Sequence, residues 1–338
     1  MNKVYIVIVN YTKYKDTIEC LESVLKLTYS NFQILLIDNS PDYLSYAQLK
    51  DWSGNQQYEV ATEFNTIVYP LVEKPVSTIF FDSENEFRAH LATLDAKIVV
   101  IKAQNRGFAA ANNIALAYIN EKAEKSSFIW ILNNDVVVEK NCLKNLVSFF
   151  DSHDLNHIVG SKLRFYYKPQ LLQAVAGRYN KWLGSTYHIG EGEVDAGQYD
   201  DFKLGENNYI VGASMFIPKL FLTKVGLMTE DFFLYYEELD WVLRGKKQGF
   251  GCALQSNAIV YHKEGTSIIG SGDAPKRDTS MAEFYSIVNR VKISKKWFKK
   301  CLPTVLLGVL FALTKRLTTG KAKLAKEAGS TVLNVLFS

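Results

Sequence analysis

A chain of 338 residues with 48% hydrophobic and 22% charged side chains can bury a sizeable core, which excludes global disorder and fits one large α/β domain with an appendage. The four cysteines, Cys20, Cys142, Cys252 and Cys301, stand far apart without a CxxC pair, which speaks against a disulfide framework or a zinc finger. The net charge of +4 hides a polarity: eleven Lys and Arg and no acid lie between Arg290 and Lys326, so the rest of the chain carries −7, and nucleic-acid binding by the body has no support.

In chain order, Val4 to Val9 is an apolar run of strand length that ends at Asn10-Tyr11. It lacks the longer apolar region and cleavage site of a signal peptide, so a cytoplasmic chain is expected. Asp16 to Leu27 places Ile18, Leu21, Val24 and Leu25 on a helical face, and Phe32 to Ile37 is a strand that stops at Asp38-Asn39-Ser40-Pro41. Short apolar runs follow at Thr78–Phe81, Ile98–Ile101 and Phe128–Leu132, with helical patterns near Glu86–Leu94, Ala109–Ile119 and Leu143–Phe150. Strand and helix in alternation predict a mostly parallel sheet covered on both faces. Residues 41–96 read as an insertion-like segment, with two prolines and a turn at Asp51-Trp52-Ser53-Gly54.

From Leu163 to Asn208 the composition suggests loops and short strands. A strand is then expected over Tyr209–Pro218, a helical turn or two over Lys219–Val225, a helix over Glu237–Gln248 ended by Gly249, and a strand over Cys252–Tyr261 leading to His262. The expected division is a domain over 1–270 and a helical tail over 271–338. In that tail Cys301–Thr314 is apolar, contains Pro303 and Gly308, and is flanked by Lys299-Lys300 and Lys315-Arg316. A spanning helix needs about 20 apolar residues, so an anchor lying on an anionic membrane surface is expected, the alternative being a helix packed on the domain with solvated lysines.

Ligands of such sheets bind beyond the carboxyl ends of the strands, where Asn10-Tyr11, Asp38-Asn39 and Asn133-Asn134-Asp135 stand. A strand-end Asp135 can bind a divalent ion that in turn holds a diphosphate, although Asn and Asp also suit any turn. Glu237, Glu238 and Asp240 follow the aromatic run Phe232 to Tyr236, which would desolvate a carboxylate and raise its pKa towards a general base's range. Acids in a first helical turn equally complement the helix dipole. His262, closing a strand, could complete a coordination begun by Asp135, or could be structural.

Taken together, Ile8-Val9-Asn10-Tyr11, Asp38-Asn39-Ser40, Asn105 to Asn113, Leu132-Asn133-Asn134-Asp135-Val136 and Tyr236-Glu237-Glu238-Leu239-Asp240-Trp241 closely resemble the family 2 glycosyltransferases, nearest to the rhamnosyltransferase-like branch of bacterial surface polysaccharide synthesis. The likeness covers roughly residues 3 to 265 in the family's order and spacing. It implies a GT-A fold, a Rossmann-like mostly parallel sheet. It also implies a dTDP- or UDP-sugar donor, a divalent cofactor (Mn²⁺ or Mg²⁺) and inversion at the anomeric carbon.

Carried over residue by residue, the resemblance sets Asn10 and Tyr11 against the nucleotide and Asp38 on its base or ribose. Asn105 and Gly107 would shape the donor pocket, with Asn133 and Asn134 beside it, and Asp135 and His262 would hold the metal. Glu238 would be the catalytic base with Glu237 its neighbour, and Asp240 and Arg244 would orient the acceptor or the motif. Asn133 occupies the first position of the family's DxD motif, and Glu238 stands where Asp is commoner, one methylene longer. The expected reaction is sugar transfer to a hydroxyl of a lipid-linked glycan at the inner face of the cell membrane. A non-catalytic, membrane-bound sugar-nucleotide-binding partner of a polysaccharide assembly complex is the alternative. The absence of GxGxxG after the first strand and of any GxxxxGK[ST] argues against a dinucleotide enzyme or a P-loop NTPase.

Overall fold

The computed structural model describes residues 1–90, 94–263 and 280–337. The first half alternates as the apolar runs predict: β1 (Val4–Asn10), α1 (Tyr14–Leu25), β2 (Phe32–Asp38), α2 (Leu44–Gly54), α3 (Asn65–Val68), β3 (Thr78–Phe81), α4 (Glu84–Ala89), β4 (Ile98–Lys102), α5 (Phe108–Lys122) and β5 (Phe128–Asn133). There follow β6 (Val136–Val138), α6 (Cys142–Ser148), β7 (His157–Phe165), β8 (Lys168–Ala174), β9 (Ala176–Asn180), β10 (Ser185–Ile189), β11 (Asn208–Tyr209) and β12 (Ser214–Pro218). Then come α7 (Lys219–Val225), α8 (Glu237–Lys247) and β13 (Gly251–His262), and three helices end the chain: α9 (Ser280–Trp297), α10 (Leu302–Thr318) and α11 (Ala322–Phe337). The expected boundary near residue 270 falls outside the described residues.

One ten-stranded sheet runs β3-β4-β2-β1-β5-β12-β7-β13-β6, with β8 on β7. The pairs from β3 to β5 are parallel, β12 is antiparallel to both neighbours, and β13 returns parallel to β7. Alternate side chains of β1 and β2 enter two cores. Tyr5, Val7, Leu35 and Ile37 meet α5, while Val4, Ile6, Ile8, Ile34 and Leu36 meet α1, α2 and α6. Each such residue contributes about 1.5–3 kcal/mol on burial, which is why these strands are apolar on both faces.

Leu163 to Asn208 is loops and short strands, as its composition suggests, the strands pairing as antiparallel hairpins with one wet face that tolerates polar alternation. Two features differ from the pattern. The strand expected over Tyr209–Pro218 is two, parted by a turn at 210–213. Pro303 sits in the first turn of α10, where its missing N–H costs nothing, so the apolar run continues as helix to Thr318.

The 41–96 segment is fastened to α1 through Glu22, which is fully buried. Its Oε1 accepts from Trp52 Nε1 at 2.9 Å and Lys74 Nζ at 2.8 Å, and its Oε2 from Val72 N at 2.9 Å. β3 from the same segment forms the sheet edge beside β4.

Candidate active site

The β1–β2 register sets Asn10 opposite Asp38. Both are fully buried, and Asn10 Nδ2 donates to Asp38 Oδ1 at 2.8 Å and to Ser40 Oγ at 3.3 Å. Asn10 Oδ1 accepts from Thr17 Oγ1 at 2.8 Å and from Asn134 Nδ2 at 3.2 Å, so one amide ties together the ends of β1, β2 and β5. Asp38 Oδ1 also takes the Ser40 hydroxyl at 2.6 Å, whereas Oδ2 faces Lys102 Nζ at 3.5 Å and accepts no hydrogen bond. The polar side chains of this floor are thus spent largely on one another. Tyr11, half-exposed, is the open group beside them.

At the end of β5, the β13–β6 register brings His262 alongside Val136 and hence beside Asp135. His262 Nε2 lies 3.1 Å from Asp135 Oδ1 and 3.2 Å from Asn133 Nδ2, and its Nδ1 lies 2.7 Å from Gln173 Oε1. The Gln173 oxygen accepts the Nδ1 proton and fixes the ring with Nε2 facing Asp135; a second proton on Nε2 pairs with that carboxylate, and in its absence the Nε2 lone pair is free to ligate an ion. Burial pushes the Asp135 carboxyl up, but the charge and hydrogen bond of His262, with Lys13 beyond, outweigh it and hold the pKa at about 2. Two donors about 3 Å apart suit neighbouring positions on one ion with bonds of about 2.1 Å. Among the described residues no third His, Cys, Asp or Glu joins them, so substrate oxygens and water would fill the remaining positions. Lys263, the next residue, is held by Asp16 at 2.6 Å and Glu19 at 2.5 Å on α1.

The carboxylates of α8 follow a loop in which three non-glycine residues have positive φ: Phe233 (58°), Tyr235 (68°) and Tyr236 (73°). Each costs on the order of 1–3 kcal/mol, so neighbours must impose the shape. Phe108 N donates to Phe233 O at 2.9 Å, and Gly107, itself at φ 100°, leaves room for that approach, since a Cβ there would stand 2.5 Å from the same oxygen. Asn289 of α9, fully buried, donates through Nδ2 to the carbonyls of Phe232 at 2.7 Å, Leu234 at 2.8 Å and Tyr235 at 3.1 Å. Tyr236 Oη donates to Gly184 O at 2.9 Å.

Glu237 then enters the protein, with its Oε2 buried and accepting no hydrogen bond. Burial first, and the neighbouring Glu238 charge second, raise its pKa well above the carboxylate range. Glu238 is half-buried and lies against Gly212, where a Cβ would be 3.6 Å from its own. The next carbonyl, Ala213 O, accepts from Asn133 N at 3.0 Å, which makes Glu238 and Asn133–Asp135 neighbours across two residues of chain.

Asn105 is exposed, its Oδ1 accepting from Gly107 N at 3.1 Å in a turn that starts α5. Asp240 is fully buried and receives Thr229 Oγ1 at 2.7 Å, Trp297 Nε1 at 2.7 Å and Lys296 Nζ at 2.7 Å. Arg244 binds Asp240 at 3.2 Å and the carbonyls of Val225 at 3.0 Å and Leu227 at 2.6 Å. The bonds of both go to the protein's own groups. Sequence reasoning missed Gln173, Asn289, Lys296 and Trp297; Gln173 and Asn289 showed only as isolated amides, Lys296 only as one of the basic residues of the tail, and Trp297 gave no signal. A cavity of about 730 Å³ opens elsewhere, between Lys15 and Ile18 of α1 and the stretch 56–71, and none of these carboxylates lines it.

The family model described as Glycosyl transferase family 2 matches residues 82–203, a stretch that includes Asn105, Gly107 and Asn133–Asp135 but neither Asp38 nor the α8 carboxylates. The low-salt glycan biosynthesis hexosyltransferase Agl10 of Haloferax volcanii is 19% identical over 203 residues, 60% of this chain and 61% of that protein. The chain thus aligns with under two thirds of that relative's length. A mannosyltransferase from Pyrobaculum calidifontis, solved with GDP-Man and Mn²⁺, superposes with a TM-score of 0.50 at 13% identity over 99% of this chain and 80% of that one. S. aureus TarS 1-349 with UDP-GlcNAc gives a TM-score of 0.48 at 15% identity over 99% and 79%. The fold is the GT-A fold, and residues 82–203 match the family 2 glycosyltransferase model.

Proposed function

We propose that the chain is an inverting glycosyltransferase that moves a hexosyl unit from a nucleoside-diphosphate sugar to a hydroxyl of a lipid-linked glycan acceptor, at the inner face of a membrane and in the synthesis of surface polysaccharide. The observation that carries it is the 3.1 Å pairing of Asp135 with His262 on the floor that Glu238 reaches through Gly212 and Ala213. The family 2 match, the hexosyltransferase relative and a fold shared with a GDP-Man-binding mannosyltransferase support the donor class. Rhamnose is the first sugar to test, on the resemblance of the motifs alone.

In this reading Glu238 accepts the proton of the acceptor hydroxyl. The oxygen attacks the anomeric carbon from the face opposite the diphosphate, and the bond to the diphosphate breaks in the same displacement. Asp135 and His262 would hold a divalent cation, Mn²⁺ or Mg²⁺, whose chemistry is to offset charge on the departing diphosphate. Glu237 stays protonated beneath Glu238, and Asp240 with Arg244 fixes the helix that carries both. Residues 1–270 would form the catalytic unit and 271–338 the membrane-associating one. That division is supported by Lys299–Thr318, 20 residues apolar enough to cross a bilayer by length and composition.

The test is nucleoside-diphosphate release from dTDP-, UDP- and GDP-sugars with and without Mn²⁺ or Mg²⁺, beside Glu238→Gln. A metal-dependent signal for one donor that disappears in the variant supports the reading and names the sugar. Nucleotide binding without turnover on any donor and lipid-linked acceptor turns the assignment to a binding partner.

A further inference from the structure

α10 is apolar on two sides. One side packs Val305 and Val309 against Ile287 and Val291 of α9 and Ala328 and Val332 of α11. The other carries Leu307, Leu310 and Phe311, exposed by 68%, 63% and 73%, at the spacing of one helical face. An exposed row of large apolar side chains on a helix of this length marks a contact surface.

The tip of the β9–β10 hairpin adjoins the same helix. Thr304 Oγ1 donates to Trp182 O at 2.6 Å, and a Cβ on Gly184 would meet Val305 Cγ1 at 2.9 Å. Trp182 and Leu183, exposed by 55% and 52%, therefore extend the apolar row past the start of α10.

Charge identifies what covers it. Exposed Lys181 stands at the hairpin tip; exposed Lys299 and Lys300 lead into α10 and exposed Lys315 lies in its last turn, these three within a stretch that has no acid from Arg290 to Lys326. Apolar side chains ringed by cations, with a Trp at the edge, match the interface of an anionic bilayer, where the rings sit at headgroup depth and each Lys gains from the surface potential. Spanning is disfavoured by packing: α10 would draw α9 and α11 in with it, and α9 would bring Glu283, Arg290 and Lys295 into hydrocarbon.

We propose that the outward face of α10 (Leu307, Leu310, Phe311) and the hairpin tip (Trp182, Leu183) form one surface that lies in the plane of an anionic membrane. It rests on the membrane part of the reading above and names the surface that does the docking. The surface also has a path to the site, because Gly184 O, next to Leu183, receives Tyr236 Oη at 2.9 Å, one residue before Glu237.

The experiment is co-sedimentation of the full chain with vesicles of phosphatidylcholine alone and with added phosphatidylglycerol, together with tryptophan emission. Binding is expected only with the anionic lipid. It should fall at least about tenfold in the double variant Leu310→Glu and Phe311→Glu, whose circular dichroism and donor hydrolysis without vesicles should match the wild type. Trp52, Trp130 and Trp241 are buried to 1% exposure or less and half-buried Trp297 is held inward by Asp240, so a vesicle-induced blue shift should come from exposed Trp182 and vanish in Trp182→Phe but persist in Trp297→Phe. This second readout stands even where the double variant fails to fold. Equal vesicle binding by the double variant, a blue shift that persists in Trp182→Phe, or concentration-dependent dimerisation with no lipid binding would overturn the proposal. Vesicle binding through this face without hydrolysis of any donor would sustain it while sinking the glycosyltransferase reading.

Discussion

Trp297 Nε1 donates to Asp240 Oδ1 at 2.7 Å, joining the last turn of α9 to the first turn of α8. Lys296 reaches the same oxygen at 2.7 Å, and two turns earlier Asn289 grips the carbonyls that shape the approach to Glu237.

Asn289→Ala strands the three carbonyls beside a loop with three positive-φ residues, at a cost of about 1–3 kcal/mol. The expected outcome is a kcat lower by about tenfold or more with the donor KM nearly unchanged. Steady-state kinetics on the preferred donor check it, with Asn289→Gln as the conservative comparison.

Glu237→Gln should leave the base in place and raise stability at alkaline pH. A carboxyl whose folded pKa is raised contributes stability that is complete below its unfolded value near 4.5 and is lost as pH rises through the folded one. The wild type should therefore lose stability relative to Glu237→Gln from about pH 4.5 upward, while the two coincide below it. Thermal unfolding across pH 4 to 9 reads this, and Glu238→Gln in the same series should cost about 10²–10⁴ in rate.

Gln173→Leu removes the acceptor facing His262 Nδ1, 2.7 Å away. The ring would lose both its orientation and its fixed tautomer, and Mn²⁺ affinity should fall about ten- to hundredfold. Isothermal titration of Mn²⁺ with the nucleoside diphosphate present measures it, and His262→Ala should weaken binding further.

Glu22→Ala leaves Lys74 buried without its carboxylate, since the two side chains are 0% and 1% exposed. Removing one partner of such a pair costs about 3–5 kcal/mol, so urea unfolding should show a large loss of stability. Glu22 itself bonds only Trp52, Val72, Lys74 and Lys26, so the site should keep its donor affinity in the fraction that remains folded.

The sequence made β1, β2 and β5 legible because strands buried on both faces must be apolar throughout, and the polar triplets that end them stood out by contrast. Asn10 and Asp38 were found for that reason, yet their position does not reveal that they bond to each other. Glu19 and Glu22 look like the wet side of α1 and are both fully buried, satisfied by Lys263, Tyr166, Lys74 and Trp52 from distant parts of the chain. No local pattern carries such long-range partners. Val136–Val138 is too short a strand to announce itself, although its pairing with β13 is what delivers His262 to Asp135. Asn289 was hidden for a similar reason: its meaning lies in three carbonyls 54 to 57 positions away.

The grip of α9 on the α8 loop sets a limit on how the protein can be shortened. The carboxy-terminal helices look like a detachable anchor, and trimming them is the usual way to make a membrane-seeking enzyme easier to handle. Here a cut before Ser280 would remove Asn289, Lys296 and Trp297 together, leaving Asp240 buried without two of its donors and three strained residues without their clasp. On the docking proposal, a form that does not bind vesicles is better sought by replacing Leu307, Leu310 and Phe311 with polar residues, which leaves the inner side of α10 and the whole of α9 in place.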